Sequence, residues 1–420
     1  MNFIERGIYD LVKSNPRLKK GIRNLYQAAF DLLPRKRDYS INPISVSEGL
    51  FYGFHDIQPF SQDSSIILAN RLRYDEPCMP KADDYIDVGY VTLDDARLGG
   101  FHPIGETNAW NYHKGCRLQW VDVNNVIYNR TVDGRLSAVI VNIHTAEERV
   151  VPAPIDTVSP DGRYATTFSY QRLETHMPGY GYCHSDESFL SKKAPSETGL
   201  FLVDLLSGER SLLVDLASLA ALTERSEASG VSNHYVTHSE FSHDGRYISF
   251  LHRWTGEYKS KRYTEFMLFD RKTGALRRLP TTGHMTSHYV WNGRREILAY
   301  CNFEGVDSHV LFNVEAPSLN RRVAYPTLNS DGHQSFIADR AFVTDSYPDK
   351  YRMAKLWKVD IEEESAELLA SVYSPRKYQS SPQKGHVACD LHPRVSPDGR
   401  FVCFDTVHSG RRALAVMAID

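Results

Sequence analysis

Val158-Ser159-Pro160-Asp161-Gly162-Arg163-Tyr164 returns with little decay as Phe241-Ser242-His243-Asp244-Gly245-Arg246-Tyr247 and as Val395-Ser396-Pro397-Asp398-Gly399-Arg400-Phe401. Each copy runs into an alternating, β-rich stretch such as Ile248-Ser249-Phe250-Leu251 or Val402-Cys403-Phe404. Asp-Gly between two such runs marks a tight hairpin, because both residues tolerate the positive φ that hairpin turns demand. Weaker copies fill the gaps: Phe60-Ser61-Gln62-Asp63, Trp120-Val121-Asp122, Trp291-Asn292-Gly293 and Phe336-Ile337-Ala338-Asp339 all precede short apolar runs.

Late in the chain the turns fall at Gly245, Gly293, Asp339 and Gly399, steps of 48, 46 and 60 residues. That is about the length of a four-stranded β-propeller blade. Downstream, third and fourth strands repeat as well, as in Phe266–Asp270, Lys272-Thr273-Gly274 and Leu276–Leu279. Units at about 51–105, 112–152, 154–216, 233–280, 284–326, 332–373 and 386–420 make seven. The expectation is therefore an all-β chain: a seven-bladed β-propeller over 50–420, preceded by a short helical arm over 1–40. No strand–helix alternation, P-loop or G-x-G-x-x-G points to a nucleotide-binding α/β fold.

Composition agrees. Of 420 residues, 41% are hydrophobic and 24% charged, which suits a globular chain rather than a disordered one. No apolar run approaches the roughly 18 residues that a membrane-spanning helix needs. A net charge of -3 argues against nucleic acid as a partner. The six cysteines are scattered with no C-x-x-C pair, so neither a disulfide framework nor a zinc ribbon is expected. Met1-Asn2-Phe3-Ile4-Glu5-Arg6 opens without an apolar leader, and the cytoplasm is the expected compartment.

Residues 1–38 hold nine Lys/Arg against four Asp/Glu, while the rest of the chain has 40 against 48. Phe3, Ile4, Ile8, Leu11 and Val12, then Leu18, Ile22, Leu25, Tyr26 and Phe30, recur at helical spacing beside Arg17, Lys19, Lys20 and Arg23. One reading is a pair of interfacial helices resting on the anionic inner face of the membrane. The other is an arm packed on the domain with a solvated basic face.

The residues just before each hairpin motif stand at the entrance of a propeller channel. Those windows read Phe54-His55-Asp56, Asn111-Tyr112-His113, His234-Tyr235-Val236-Thr237-His238, Ser287-His288-Tyr289, Gly332-His333-Gln334 and Asp390-Leu391-His392-Pro393-Arg394. Six of seven blades thus place histidine at one stage of the repeat. Imidazoles from neighbouring blades can converge on a divalent ion such as Mn, Zn or Ca; His288, His333 and His392 lie on successive blades, with Gln334, His386 and Cys389 near enough to complete a shell. They can instead act as acid and base near neutral pH, or bond channel waters and strand ends. Arg253 and Arg394 bring an always-charged fork suited to a carboxylate, or to a strand-to-strand ion pair. The insertion Gln171–Thr198 carries His176-Met177-Pro178-Gly179-Tyr180-Gly181-Tyr182, an aromatic, Gly-rich run that can stack on sugar rings or fill a rim.

The Ser-Pro-Asp-Gly-Arg hairpins, His333-Gln334-Ser335, Thr344-Asp345-Ser346-Tyr347-Pro348-Asp349 and Asp390-Leu391-His392-Pro393-Arg394 together resemble the seven-bladed propellers of the oligogalacturonate lyase and ulvan lyase families. The hairpin motif alone is shared with TolB-type propellers; the likeness covers roughly residues 50–420. It implies cleavage of a uronate-containing glycan by β-elimination with a divalent metal held by His288, His333, Gln334 and His392. It also implies His234 or His238 as the base. Proton removal beside a carboxylate needs that carboxylate neutralised, which suits Arg253 or Arg394, and Tyr235 or Tyr289 would donate to the departing oxygen. His55, His113, Tyr180, Tyr182 and Tyr235 are the expected sugar contacts. Two further readings stand beside this one: a glycosyltransferase or accessory protein of surface-polysaccharide biosynthesis, and a non-catalytic binding scaffold.

Overall fold

The repeat motifs close the turns expected of them. Ser159 Oγ donates to Asp161 Oδ1 at 2.5 Å, and Gly162 N and Ser159 N bond to Ser159 O (2.9 Å) and Tyr164 O (2.8 Å). Ser242–Asp244 and Ser396–Asp398 repeat the contact at 2.7 and 2.5 Å. The following glycines Gly162, Gly245 and Gly399 sit at φ of +67, +69 and +73, where a Cβ would be strained. The computed structural model describes residues 36–223, 232–255, 262–282, 285–381 and 385–419. Within them lie seven antiparallel sheets arranged as a seven-bladed propeller.

Blade 4 shows why such sequences stack. Ile248 and Phe250 of the strand Tyr247–Thr255, with Met267 and Phe269 of Arg262–Asp270, pack against Leu200 and Val214 of blade 3. Leu251, Phe266 and Leu268 face the other way, onto Tyr289, Ile297 and Val310 of blade 5. A strand's side chains alternate, so a sheet apolar on both faces must be covered on both, and neighbouring wedges do this.

Blades 1, 2, 4 and 5 each have four strands drawn from consecutive sequence. Blade 3 has three, Tyr164–Thr167, Gly199–Asp204 and Arg210–Asp215, with a single bridge from Val158 to Ala165 on its inner side. The last two blades borrow from the start of the chain. Ser45–Glu48 pairs with Ala413–Ala418 as the outer strand of blade 7, and Tyr39–Ser40 adds a fifth strand to blade 6. The stretch 386–420, expected as a complete unit, holds only three strands of its own, and the ring closes through this N-terminal one. The expected helices of the arm fall in residues 1–35, outside the described residues.

Two α-helices interrupt the strands among the described residues. α1 (Tyr170–His176) opens the blade 3 insertion, capped by Ser169, whose side chain accepts from Arg172 N. Asp186 accepts from Tyr170 N at 2.5 Å and Gln171 N at 3.3 Å at the same end. α2 (Leu216–Leu222) leads from blade 3 toward blade 4. All six cysteines are free thiols, and no described helix is long and apolar enough to cross a membrane.

Candidate active site

Phe54 stands in the channel with histidines from six blades around it. Its ring centroid lies between 4.7 and 5.8 Å from those of His55, His113, His238, His288, His333 and His392. Blade 3 contributes a carboxylate instead, the buried Asp156. His238 and His392 adopt left-handed backbone, at φ of +54 and +45, a conformation that costs energy for a non-glycine residue and recurs at functional sites. At His238 it coincides with a break in strand register between Thr237 and Glu240.

Donor atoms of four buried side chains, His113, His333, Asp390 and His392, all lie within 4.8 Å of one another. His333 Nδ1 donates to both Asp345 oxygens, at 2.9 and 3.0 Å, which leaves its Nε2 with a lone pair and no protein partner. Both ring nitrogens of His392 and both of His113 also lack hydrogen bonds among the described residues. Burial, reinforced by neighbouring imidazoles, holds all three well below the ordinary imidazole pKa, in the neutral form that can offer a lone pair. Burial, then the Asp345 charge, pushes Asp390 up to about 7. Orphaned neutral nitrogens beside a carboxylate fit a borderline divalent cation, and the Asp345–His333 contact is the usual support behind such a ligand.

The structure thus brings His333 and His392 together as expected, their centroids 4.2 Å apart, with His288 4.0 Å from His333. His288 Nδ1 likewise meets a carboxylate, Asp331, at 3.1 Å, but His288 is not in the four-residue donor group. The buried Gln334 side chain places its Nε2 3.2 Å from His309 Nδ1, while its backbone carbonyl accepts from His55 Nδ1 at 3.0 Å. His113 and Asp390, not expected among the metal ligands, join His333 and His392 in the donor group, and Gln334 Oε1 stays buried with no hydrogen bond among the described residues. Asp390 precedes His392 by two residues in the same pre-hairpin window, and that placement was the only signal for it.

Of the two proposed bases, only His238 joins the ring. His234 Nδ1 lies 2.9 Å from His252 Nε2, and His252 lies 3.5 Å from Glu265, within the blade. The Tyr289 hydroxyl donates to the His238 carbonyl, which ties it to the backbone. Tyr235 stacks on His176 at 5.9 Å, and Tyr182 on Tyr170 at 4.4 Å. Tyr180 does reach the imidazoles, 4.3 Å from His113, 4.9 Å from His386 and 5.9 Å from His238.

The two arginines separate clearly. Arg394 is ion-paired to Asp405 at 3.1 Å, a carboxylate it shares with Arg412. Buried Arg253 has no acidic partner among the described residues; its Nη1 lies 3.3 Å from Met177 Sδ and its Nη2 donates to Thr286 O at 3.2 Å. Burial, then the nearby Arg262, pushes it down to about 10. Deeper in the channel, Lys114 and Arg117 pair with Asp56 and Asp156. A separate cleft of about 970 Å³, lined by Trp120, Val123 and the turn residues Ser159, Pro160 and Pro397, includes none of the ring histidines.

No protein-family model matches the chain, and no curated protein matches it. Among solved structures it is similar to an oligogalacturonate lyase in complex with manganese, at TM-score 0.63 and 15% identity over 92% of this chain and 97% of that one. It is also similar to an oligogalacturonate lyase from Vibrio parahaemolyticus, at TM-score 0.57 and 13% identity over 92% and 99%. TolB from Acinetobacter baumannii follows at TM-score 0.40 and 11% identity over 74% and 65%, too distant to bear on the site. The chain is a seven-bladed β-propeller with the fold of the oligogalacturonate lyases.

Proposed function

We propose that this protein is a lyase that cleaves a uronate-containing oligo- or polysaccharide by β-elimination, with a divalent metal held by His113, His333, His392 and Asp390. The observation that carries the reading is the cluster of buried, neutral, unpartnered imidazole nitrogens beside a carboxylate. A divalent ion bound there supplies positive charge against the negative charge that develops on the substrate carboxylate. The rest falls to the chain's own residues.

Arg253 offers a desolvated guanidinium with no competing acid among the described residues, so it is the receptor for the uronate carboxylate. His238 is kept neutral by burial and by the cations Lys114 and Arg253, and can take the proton from the carbon next to that carboxylate. The electron pair left on that carbon forms the new C=C bond as the glycosidic C–O bond breaks. Tyr180, whose hydroxyl stays protonated in its buried position, donates to the departing oxygen. Arg394 and Tyr289, held by Asp405 and by the His238 carbonyl, support the channel wall.

The test is incubation of the purified protein with Mn2+ and a panel of uronate oligosaccharides, following the ultraviolet absorbance of the conjugated unsaturated product. Absorbance that grows with time and disappears on chelation is the expected result. A flat trace with every uronate, together with no bound divalent ion, would remove the lyase reading.

A further inference from the structure

A cation-binding imidazole cluster drawn from separate blades needs something to hold its members in one tautomer and one place. We propose that Asp345 is the positioning residue of the cluster, fixing His333 and His392 together across the boundary between blades 6 and 7; this rests on the metal reading above. Its Oδ1 accepts from His333 N at 2.8 Å and from His333 Nδ1 at 2.9 Å. Its Oδ2 accepts from the same Nδ1 at 3.0 Å and from His392 N at 3.0 Å. Three N–H groups therefore converge on one carboxylate from two blades.

Each contact has a consequence for the metal. A carboxylate can only accept, so His333 carries its hydrogen on Nδ1, and Nε2 keeps the lone pair that faces the cluster. The bond to His392 N falls on a residue in left-handed backbone, and a charge-assisted bond there offsets the cost of that conformation. Gly332 permits the approach, since a Cβ on it would lie 2.0 Å from Asp345 O. Charge fits as well: neither Asp345 nor Asp390 pairs with a lysine or arginine among the described residues, so the two buried carboxylates match one divalent ion.

Asp345→Asn keeps the shape, yet either orientation of the amide sets an NH2 against an N–H now accepted by oxygen. Two measurements test the role. In the metal-free wild type, long-range 1H–15N spectra should show His333 as the Nδ1–H tautomer, and Asp345→Ala, which removes both acceptors of Nδ1, should lose that signature. Calorimetric titration with Mn2+ should show binding weakened about 10- to 100-fold in Asp345→Asn. An Nε2–H tautomer in the wild type overturns the proposal even if neither variant folds. So does Mn2+ affinity unchanged in a folded Asp345→Asn. Wild-type protein that binds no divalent ion, with His333 still Nδ1–H, would instead discard the metal reading, and with it the role assigned here.

Discussion

Arg253 and Arg394 are alike in the sequence, each a cation near a histidine-bearing window, and opposite in the fold. Arg394 donates to the Gly53 carbonyl at 2.8 Å and pairs with Asp405. Removing one partner of such a buried pair typically costs about 3–5 kcal/mol, although Arg412 and the amides of Tyr52 and Gly53 keep Asp405 partly satisfied. Among the described residues Arg253 has only a thioether and a carbonyl. Arg253→Ala should therefore leave the melting temperature nearly unchanged and lower kcat/KM on a uronate oligosaccharide by about 100-fold or more. Arg394→Ala should melt earlier. A variant at Arg253 with full activity would shift the carboxylate receptor elsewhere.

At the scale of the element, the insertion within blade 3 decides who can reach the imidazoles. His113, His333 and His392 are 1%, 0% and 0% exposed. Tyr180 and Met177 lie on the histidine and arginine sides of the site, and the tip is tied to α1 by Glu174, which accepts from Gly179 N at 2.8 Å and Gly181 N at 3.1 Å. A Cβ at Gly179 would fall 2.4 Å from His386 Cβ, at a φ of +93 that side chains rarely adopt. Gly179→Ala should lift the tip off His386 while the blades stay folded. Ring histidines should then react faster with diethyl pyrocarbonate; an unchanged rate would show that the tip does not cover them.

For the whole molecule, burying so many neutral imidazoles has a price in acid. Burial holds His55, His113, His238, His252, His333 and His392 below the ordinary value, and His309 and His386 at about 4. The unfolded chain takes up protons near pH 6.5 that the folded chain refuses, so these groups lose stability as pH falls from about 6.5 toward 4. Glu174, Asp186, Glu240, Asp345 and Asp390, pushed up chiefly by burial, work in the opposite direction but are fewer. The melting temperature should fall between pH 7.5 and 5. A rise over that range would mean that the ring is charged in the folded protein.

The blade repeat was legible in the chain because a hairpin is a local event: Ser-x-Asp-Gly fixes its own turn, and period-two alternation declares two buried faces before any partner is known. Histidine at one stage of the repeat was legible for the same reason, since each copy of a blade sets its inner strand at the channel. Ring closure by Ser45–Glu48 was not, because two distant strands match only through the geometry of the circle. Nor was the choice among candidates. His234 and His238 stand four residues apart in one strand, and a break in register sends one into the blade and the other into the channel. Asp390 joins the donor group and Gln334 Nε2 meets His309 because orientation within the channel depends on which neighbour accepts each hydrogen bond, a fact that exists only once seven blades share an axis.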